Sequence, residues 1–282
     1  MRLTEVPCRT GLAILALLIP ATAWTSPPTT RHYYGSFASF SRGPGKHRAL
    51  VERGATSIDV SVSTQDQPVL LDSETLLAAA ESFMQTSTGY YSALDEDRLA
   101  DDFVFRGPVI GPLGKHDYAR VLEYFAVYRA LPDVAPNAFG FSVDPEDPRR
   151  VWFLLRATGT YQQSLGGALG NLAATVTPPD QRQYRGSTEV WSVTFNERLQ
   201  VRYLSAGYVA DLYEPNATTG GRGLTFGVLA SLGLPLPAGV GSPVLQVVQK
   251  VSRFLAGTGI VPLPYSSADN VPSWWKSDKF GA

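Results

Sequence analysis

Two pairs of strand-like segments in the second half of the chain set the strongest limit on its fold. "NAFGFSV" and "RVWFLLRATGTY" flank the Pro- and Asp-rich turn "DPEDPR", and "QYRGSTEVWSVTF" and "LQVRYLSAGYVADL" flank "NER". Runs rich in β-branched and aromatic residues, bounded by turn formers, read as two β-hairpins. In "RVWFLLRATG", alternation separates Val151, Phe153 and Leu155 from Trp152 and Leu154, so both faces are apolar. An antiparallel sheet with one wet face carries polar residues there. Both faces therefore need a cover, and the stretch 223–264 is long and apolar enough to be the second one.

Helical patterns precede the hairpins. "SETLLAAAESFMQTSTGYYSAL" (73–94) places Leu76, Leu77, Ala80, Phe83, Met84, Tyr90 and Tyr91 on one stripe, with Asp72 or Ser73 as cap. "DEDRLADD" (95–102) reads as one or two further turns, "FVFRG" as a short strand, and "HDYARVLEYFAVYRAL" (116–131) as a second long helix ended by Pro132 and Pro136. The Gly/Ala-rich segment 162–180 joins the hairpins as a long loop. The fold class implied is α+β, with a four-stranded antiparallel block after the helices.

Missing residues exclude most standard chemistries. The sole cysteine is Cys8, and His116 is the only histidine beyond residue 47. Beyond the leader there is thus no thiol nucleophile, disulfide or His/Cys zinc site. No G-x-S-x-G, P-loop or G-x-G-x-x-G occurs, so no cofactor is expected. Setting aside the seven basic and three acidic residues of 1–60 leaves 17 and 22, a net charge of −5. No basic stripe remains for a nucleic-acid partner.

Residues 1–23 read as a signal peptide: Arg2 and Arg9, the apolar run "GLAILALLIPA", and a small-residue site at "ATA". Residues 24–60 follow as a disordered, transit-like segment; Arg31, Arg42, Lys46 and Arg48 lie in a 27-residue stretch free of Asp and Glu (24–50). With Trp24 just after the cleavage site, the pair resembles the bipartite presequences of algae with complex plastids. Plastid (chloroplast) import is the expectation, with secretion and a disordered arm as the alternative.

The block "ADDFVFRGP…G…HDYARVLEYF", followed by the two hairpins, resembles the NTF2-like superfamily, specifically its SnoaL-like branch, over about residues 74–214. That resemblance implies a cone in which a strongly curved antiparallel sheet wraps about three helices around a pocket, placed here in residues 61–214 with 215–282 as a C-terminal extension. "GYVAD" (207–211), "TTGGRGLTFG" (218–227) and "GLPLP" (233–237) are similar to a stretch shared by SnoaL-like proteins of plastid-bearing organisms.

Family members of this kind abstract a proton alpha to a carbonyl, which needs a carboxylate base and donors aimed at the developing enolate oxygen. The resemblance places the base just before Pro108 and the oxyanion-donating Tyr on the first helix. Gly107 and Phe83 stand there instead, so ketosteroid-isomerase-type activity is not expected and whether the chain is an enzyme stays open. Asp101 and Asp102, if helical, point about 100° apart, so at most one can face the pocket. Arg106 can hold a carboxylate or carbonyl oxygen of a ligand, or pair with Asp102. Alternation puts Glu189 with Trp191, Val193 and Phe195, a lone carboxylate among large apolar residues and hence a candidate acid or base. Its bland reading is pairing with Arg156 or Arg185. Tyr203, sharing a face with Val201 and Ser205, is a second candidate or a core tyrosine. Trp191 and Phe83 complete the candidate ligand wall.

In the extension, "SPVLQVVQKVSRFLAG" is an amphipathic helix pattern and "PSWW" (272–275) an aromatic anchor. It is either a strap on its own domain, a homodimer or protein-partner contact, or a peripheral membrane contact. Three functions remain: a cofactor-independent isomerase or cyclase acting on an apolar small molecule, a non-catalytic pocket for one, or an assembly factor.

Overall fold

The computed structural model describes residues 71–166, 170–171, 174–175, 177–234, 243–258 and 261–275; the leader readings over 1–60 lie outside these. The chain opens with α1 (Ser73–Thr86), capped by Asp72, whose carboxylate accepts from Thr75 N at 2.8 Å and Thr75 Oγ1 at 2.6 Å. It buries Leu76, Ala80, Phe83 and Met84 at the 3-4 spacing read from the sequence. The helix ends eight residues before the expected 94. Tyr90 and Tyr91 sit in a turn closed by the Thr88–Leu94 bridge, in which Thr88 Oγ1 accepts from Tyr91 N at 3.0 Å.

Only Glu96–Arg98 is helical within 95–102, as one 3₁₀ turn; strand β1 (Leu99–Arg106) already includes Asp101 and Asp102. Two-residue β2 (Leu113–Gly114) leads into α2 (Lys115–Tyr124), and α3 (Val127–Ala130) follows a break at Phe125–Ala126, so the expected long helix is two. The hairpins supply β3 (Ala138–Val143), β4 (Arg150–Leu155), β7 (Glu189–Phe195) and β8 (Val201–Val209). Short β5 (Thr158–Thr160) and β6 (Gln183–Arg185) leave the main sheet and pair with each other.

The main sheet runs β2-β1-β8-β7-β4-β3, curved and antiparallel except for the parallel pairing of β1 with β8. Helix α1 packs on β3 and β4, and α2 on β1 and β2. Between helices and sheet lies one core that includes Phe83, Phe103, Phe153, Trp191 and Phe195. Two amphipathic helices over one sheet face are how such elements bury apolar stripes in an α+β domain.

The far face of the sheet is covered differently from the expectation. Helix α4 (Leu224–Ser231) adds Val228 and Leu229 to the helix-side core, as does Leu232 just beyond it. The far-face cover comes from farther along the chain, where Val271 and Trp275 pack on Val104, with Tyr203 and Trp274 beside them. Trp274 Nε1 donates to Asp102 O at 2.9 Å. Elsewhere on that face the Arg150 guanidinium stacks 4.0 Å over Trp152 and donates to Ser192 Oγ at 2.9 and 3.1 Å. The edge strand β2 is blunted by residues 264–270: Gly114 N donates to Ser266 Oγ at 2.9 Å, and Ser266 N to Pro112 O at 2.8 Å. A Cβ at position 114 would run into Asn270 O, so only glycine allows this approach. Helix α5 (Pro243–Ala256) buries Leu245 alone.

Candidate ligand cavity

A cavity of about 410 Å3 lies between the C-terminal end of β1, α2 and the chain that leaves β8. Its wall is mostly apolar, with Phe105, Val121, Leu122, Phe125, Trp191 and Leu224 among its members. Polar contributions come from Tyr90, Tyr118, Tyr208, Arg222 and Thr225. The volume is in the range of small-molecule sites, and a dominantly apolar wall with a few polar groups is their usual character. Tyr208 and Leu212, 40% and 59% exposed, also line it and so mark its rim.

Glycines bring the cavity's outer wall into place. Gly207 has φ +83°, and a Cβ there would strike the Leu224 side chain; a Cβ on Gly223 would strike Gly207 O. The "GYVAD" and "TTGGRG" stretches thus cross at backbone contact, which ordinary side chains forbid.

Glu189 stands directly behind this wall. It is 1% exposed, with Oε2 accepting from Trp191 Nε1 at 2.8 Å and Oε1 from Leu224 N at 2.9 Å. Both donors belong to residues of the cavity wall, and Leu224 N is the first amide of α4, where the helix dipole favours an anion. Burial nevertheless dominates and pushes the carboxyl up to about 7, the two hydrogen bonds offsetting it only in part. Neither expected arginine pairs with it: Arg156 is engaged by Glu214, and Glu189 makes no ion pair among the described residues.

Three buried tyrosines share its surroundings. The hydroxyls of Tyr90, Tyr91 and Tyr184 have no hydrogen-bond partner among the described residues, and burial, with the Glu189 charge adding to it, holds all three well above the ordinary phenol value of 10. Tyr90 Oη approaches the Thr225 hydroxyl without completing a hydrogen bond to it. Buried hydroxyls without partners are costly in a dry interior. Tyr118, by contrast, donates to Thr88 O at 2.9 Å.

The other expected site residues separate. Trp191 does line the cavity, whereas Phe83 is deep in the core, away from the wall. Gly107 lines the cavity and brings no functional group to it. Arg106 is not among the residues of the cavity wall and makes no ion pair with Asp102; it donates to Ile110 O at 3.0 Å and Gly111 O at 2.9 Å, closing the 106–111 turn. Asp102 pairs instead with Arg202 at 2.7 Å. Tyr203 lies on the far face, its ring 5.4 Å from that of Trp275, and is not brought to Glu189. The reason is an irregularity: Phe195 pairs with Val201 but Thr194 with Tyr203, so the extra residue Arg202 breaks the alternation from which Val201 and Tyr203 would share a face. The tyrosine cluster escaped the sequence reading because the pair at 90–91 fits a helical stripe and Tyr184 sits in a three-residue strand.

No family model matches the chain, and no curated protein matches it. Among solved structures it is similar to a protein named as a SnoaL-like polyketide cyclase from Jannaschia sp. CCS1, at 15% identity over 50% of this chain and 89% of that one, with a TM-score of 0.35. A phenazine biosynthesis-related protein from Pseudomonas aeruginosa aligns at 12% identity over 63% and 92%, TM-score 0.35. An NTF2-like protein from Anabaena variabilis aligns at 17% identity over 49% and 90%, TM-score 0.31. The chain itself places helices ahead of a curved, mostly antiparallel sheet, with a cavity between sheet and helices, an α+β architecture.

Proposed function

We propose that the protein takes an apolar, oxygen-bearing small molecule into the cavity and carries out cofactor-independent proton transfer on it, of the isomerase or cyclase type. The observation that carries this reading is Glu189: a buried carboxyl poised near neutral pH, bonded to two residues of the cavity wall. A general base works best with its pKa near the working pH. The unpartnered Tyr90 hydroxyl, on the same wall, is the donor available to a ligand oxygen. A second reading, ligand binding without catalysis, is favoured by one fact: the Glu189 carboxylate is behind the wall rather than in it.

A simple β,γ-enone separates the two. Catalysis predicts isomerisation whose kcat/KM rises with pH through about 7, as Glu189 loses its proton. The rate falls at least roughly a hundredfold in Glu189→Gln and about tenfold in Tyr90→Phe. Uptake of an apolar fluorescent probe such as N-phenyl-1-naphthylamine, blocked by Val121→Trp, with no turnover of any such enone, supports binding alone. A chain that neither takes up the probe nor turns over the enone overturns both.

We also propose plastid import, supported by the signal-like 1–23 and the basic, acid-poor segment behind it. The native protein is expected to begin between about residues 45 and 70, the polar gap before the first helix. N-terminal sequencing that starts at Trp24, with glycan on the exposed Asn216 of the "NAT" acceptor, would establish secretion instead.

A further inference from the structure

The large apolar side chains that stay exposed are concentrated. Among the described residues, all but Phe139 lie on two segments: Tyr208, Leu212 and Tyr213 (90% exposed) after β8, and Val244, Val247 and Phe254 (82% exposed) on α5. Both segments adjoin the cavity. Tyr208 and Leu212 form its rim, while Gln249 of α5 donates at 2.6 Å to the carbonyl of Val109, a wall residue.

The inner side of α5 is engaged. Leu245 is buried, Gln249 holds Val109, and Arg253 donates to Tyr265 O at 2.9 Å. The outer side carries Val244, Val247, Val251 and Phe254, whose 3-4-3 spacing makes a single apolar stripe. Lys250 is exposed at the edge of that stripe, and α5 contains no Asp or Glu, although residues 61–282 as a whole are net acidic.

We propose that this surface docks on an anionic lipid bilayer, with α5 lying in the interface and the 208–213 segment beside it. The area argues against a second copy of the chain as occupant. The 14-residue helix is about 21 Å long, and its four stripe residues with Tyr208, Leu212 and Tyr213 make seven apolar side chains, against the roughly 20–30 residues a side of a stable dimer. A bilayer interface requires no complementary shape, only an apolar face with cations at its edge. Lys250 supplies the cation, α5 itself carries no acid, and the one carboxylate of the 208–213 segment, Asp211, accepts from Tyr213 N at 2.9 Å. No described helix is long and apolar enough to cross a membrane, so the contact is peripheral. Docked this way, the rim faces the bilayer and an apolar molecule can pass between lipid and cavity; this last clause alone rests on the proposed function.

Vesicle flotation of the chain freed of its leader tests the proposal. Binding is expected to phosphatidylcholine vesicles containing phosphatidylglycerol, weakening with salt, and far less to phosphatidylcholine alone. The double variant V247D/F254D should reduce the bound fraction roughly tenfold, with an unchanged melting temperature and unchanged uptake of the fluorescent probe. Lys250→Glu should reduce it less. Wild-type chain that ignores both vesicles, a double variant that binds as wild type, or a wild-type dimer by light scattering that V247D/F254D makes monomeric overturns the proposal. Vesicle binding without probe uptake upholds docking and removes only the passage of a ligand.

Discussion

Ending the chain after Glu214 is expected to abolish cooperative thermal unfolding and to yield aggregated protein. The segment removed is part of the same compact unit as the sheet it follows. It contributes Val228, Leu229, Leu232, Leu245, Val271 and Trp275, each no more than 7% exposed. Full burial of such side chains stabilises by about 1.5–3 kcal/mol apiece, and a domain's whole margin is about 5–15 kcal/mol. Their loss alone is therefore comparable with everything that holds the fold together.

Polar consequences deepen the effect. Ser187 Oγ loses Thr219 Oγ1 at 2.7 Å, Gly114 N loses Ser266, and Glu189 loses the Leu224 amide while its burial gives way. Trp275→Ala is a milder probe of the far face and should cost about 3 kcal/mol, because Val104 and Tyr203 would lose their cover. Circular dichroism melts and light scattering read both. A truncated chain that stays soluble, monomeric and equally stable would show the tail to be a docking element and nothing more.

Residues whose role follows from local periodicity were legible from the sequence. Alternation in β4 and β7 placed Phe153, Trp191 and Glu189 on one face, where they are buried. The 3-4 stripe of α1 named its four buried residues. Roles that depend on interruptions or on distant chain were not legible. One extra residue in β8 sends Tyr203 to the far face, and period-2 counting cannot foresee it. Asp101 and Asp102 suit a helix end by composition, yet β1 pairs with β8 on either side of them, at Leu99 and Val104, and keeps them in the strand, a case of tertiary context overriding local preference. The two apolar faces in "RVWFLLRATG" led to the expectation of a second cover, yet Trp152 and Leu154 stay half-buried, and the far-face packing sits on Val104 and Tyr203 of β1 and β8. Which segment supplies it was decided by where the chain returns, at 271–275 instead of 223–264. Glu189 could be named as a lone carboxylate on an apolar face, but its partners could not, because Leu224 is 35 residues away and approaches only through glycine contacts.

That carboxyl makes the second large prediction, on stability against pH. Its value in the folded protein is about 7, against an ordinary 4.5, because burial removes water that the anion needs. The groups around it are the hydroxyls of Tyr90, Tyr91 and Tyr184, the Trp191 indole and the Leu224 amide, with no ion-pairing cation among the described residues. Between pH 4.5 and 7 the folded state keeps a proton that the unfolded chain has released. Stability must then fall as pH rises across that window, and level off on either side. At about 1.36 kcal/mol per pH unit the total is at most roughly 3 kcal/mol. The surface carboxylates Asp133, Asp144, Asp180 and Glu197 act in the opposite sense, since their lowered values add stability that is lost on acidification. Comparison with Glu189→Gln cancels them, because both proteins share them. Gln places an amide N–H₂ against one of two N–H donors and so is destabilised, but by an amount that does not depend on pH. Urea titrations from pH 4.5 to 8 should therefore show the wild type losing up to roughly 3 kcal/mol relative to Glu189→Gln, most of it before pH 7.5. A difference that stays flat would mean that Glu189 titrates as an ordinary surface acid, and the carboxyl would then have no claim to proton transfer near neutral pH.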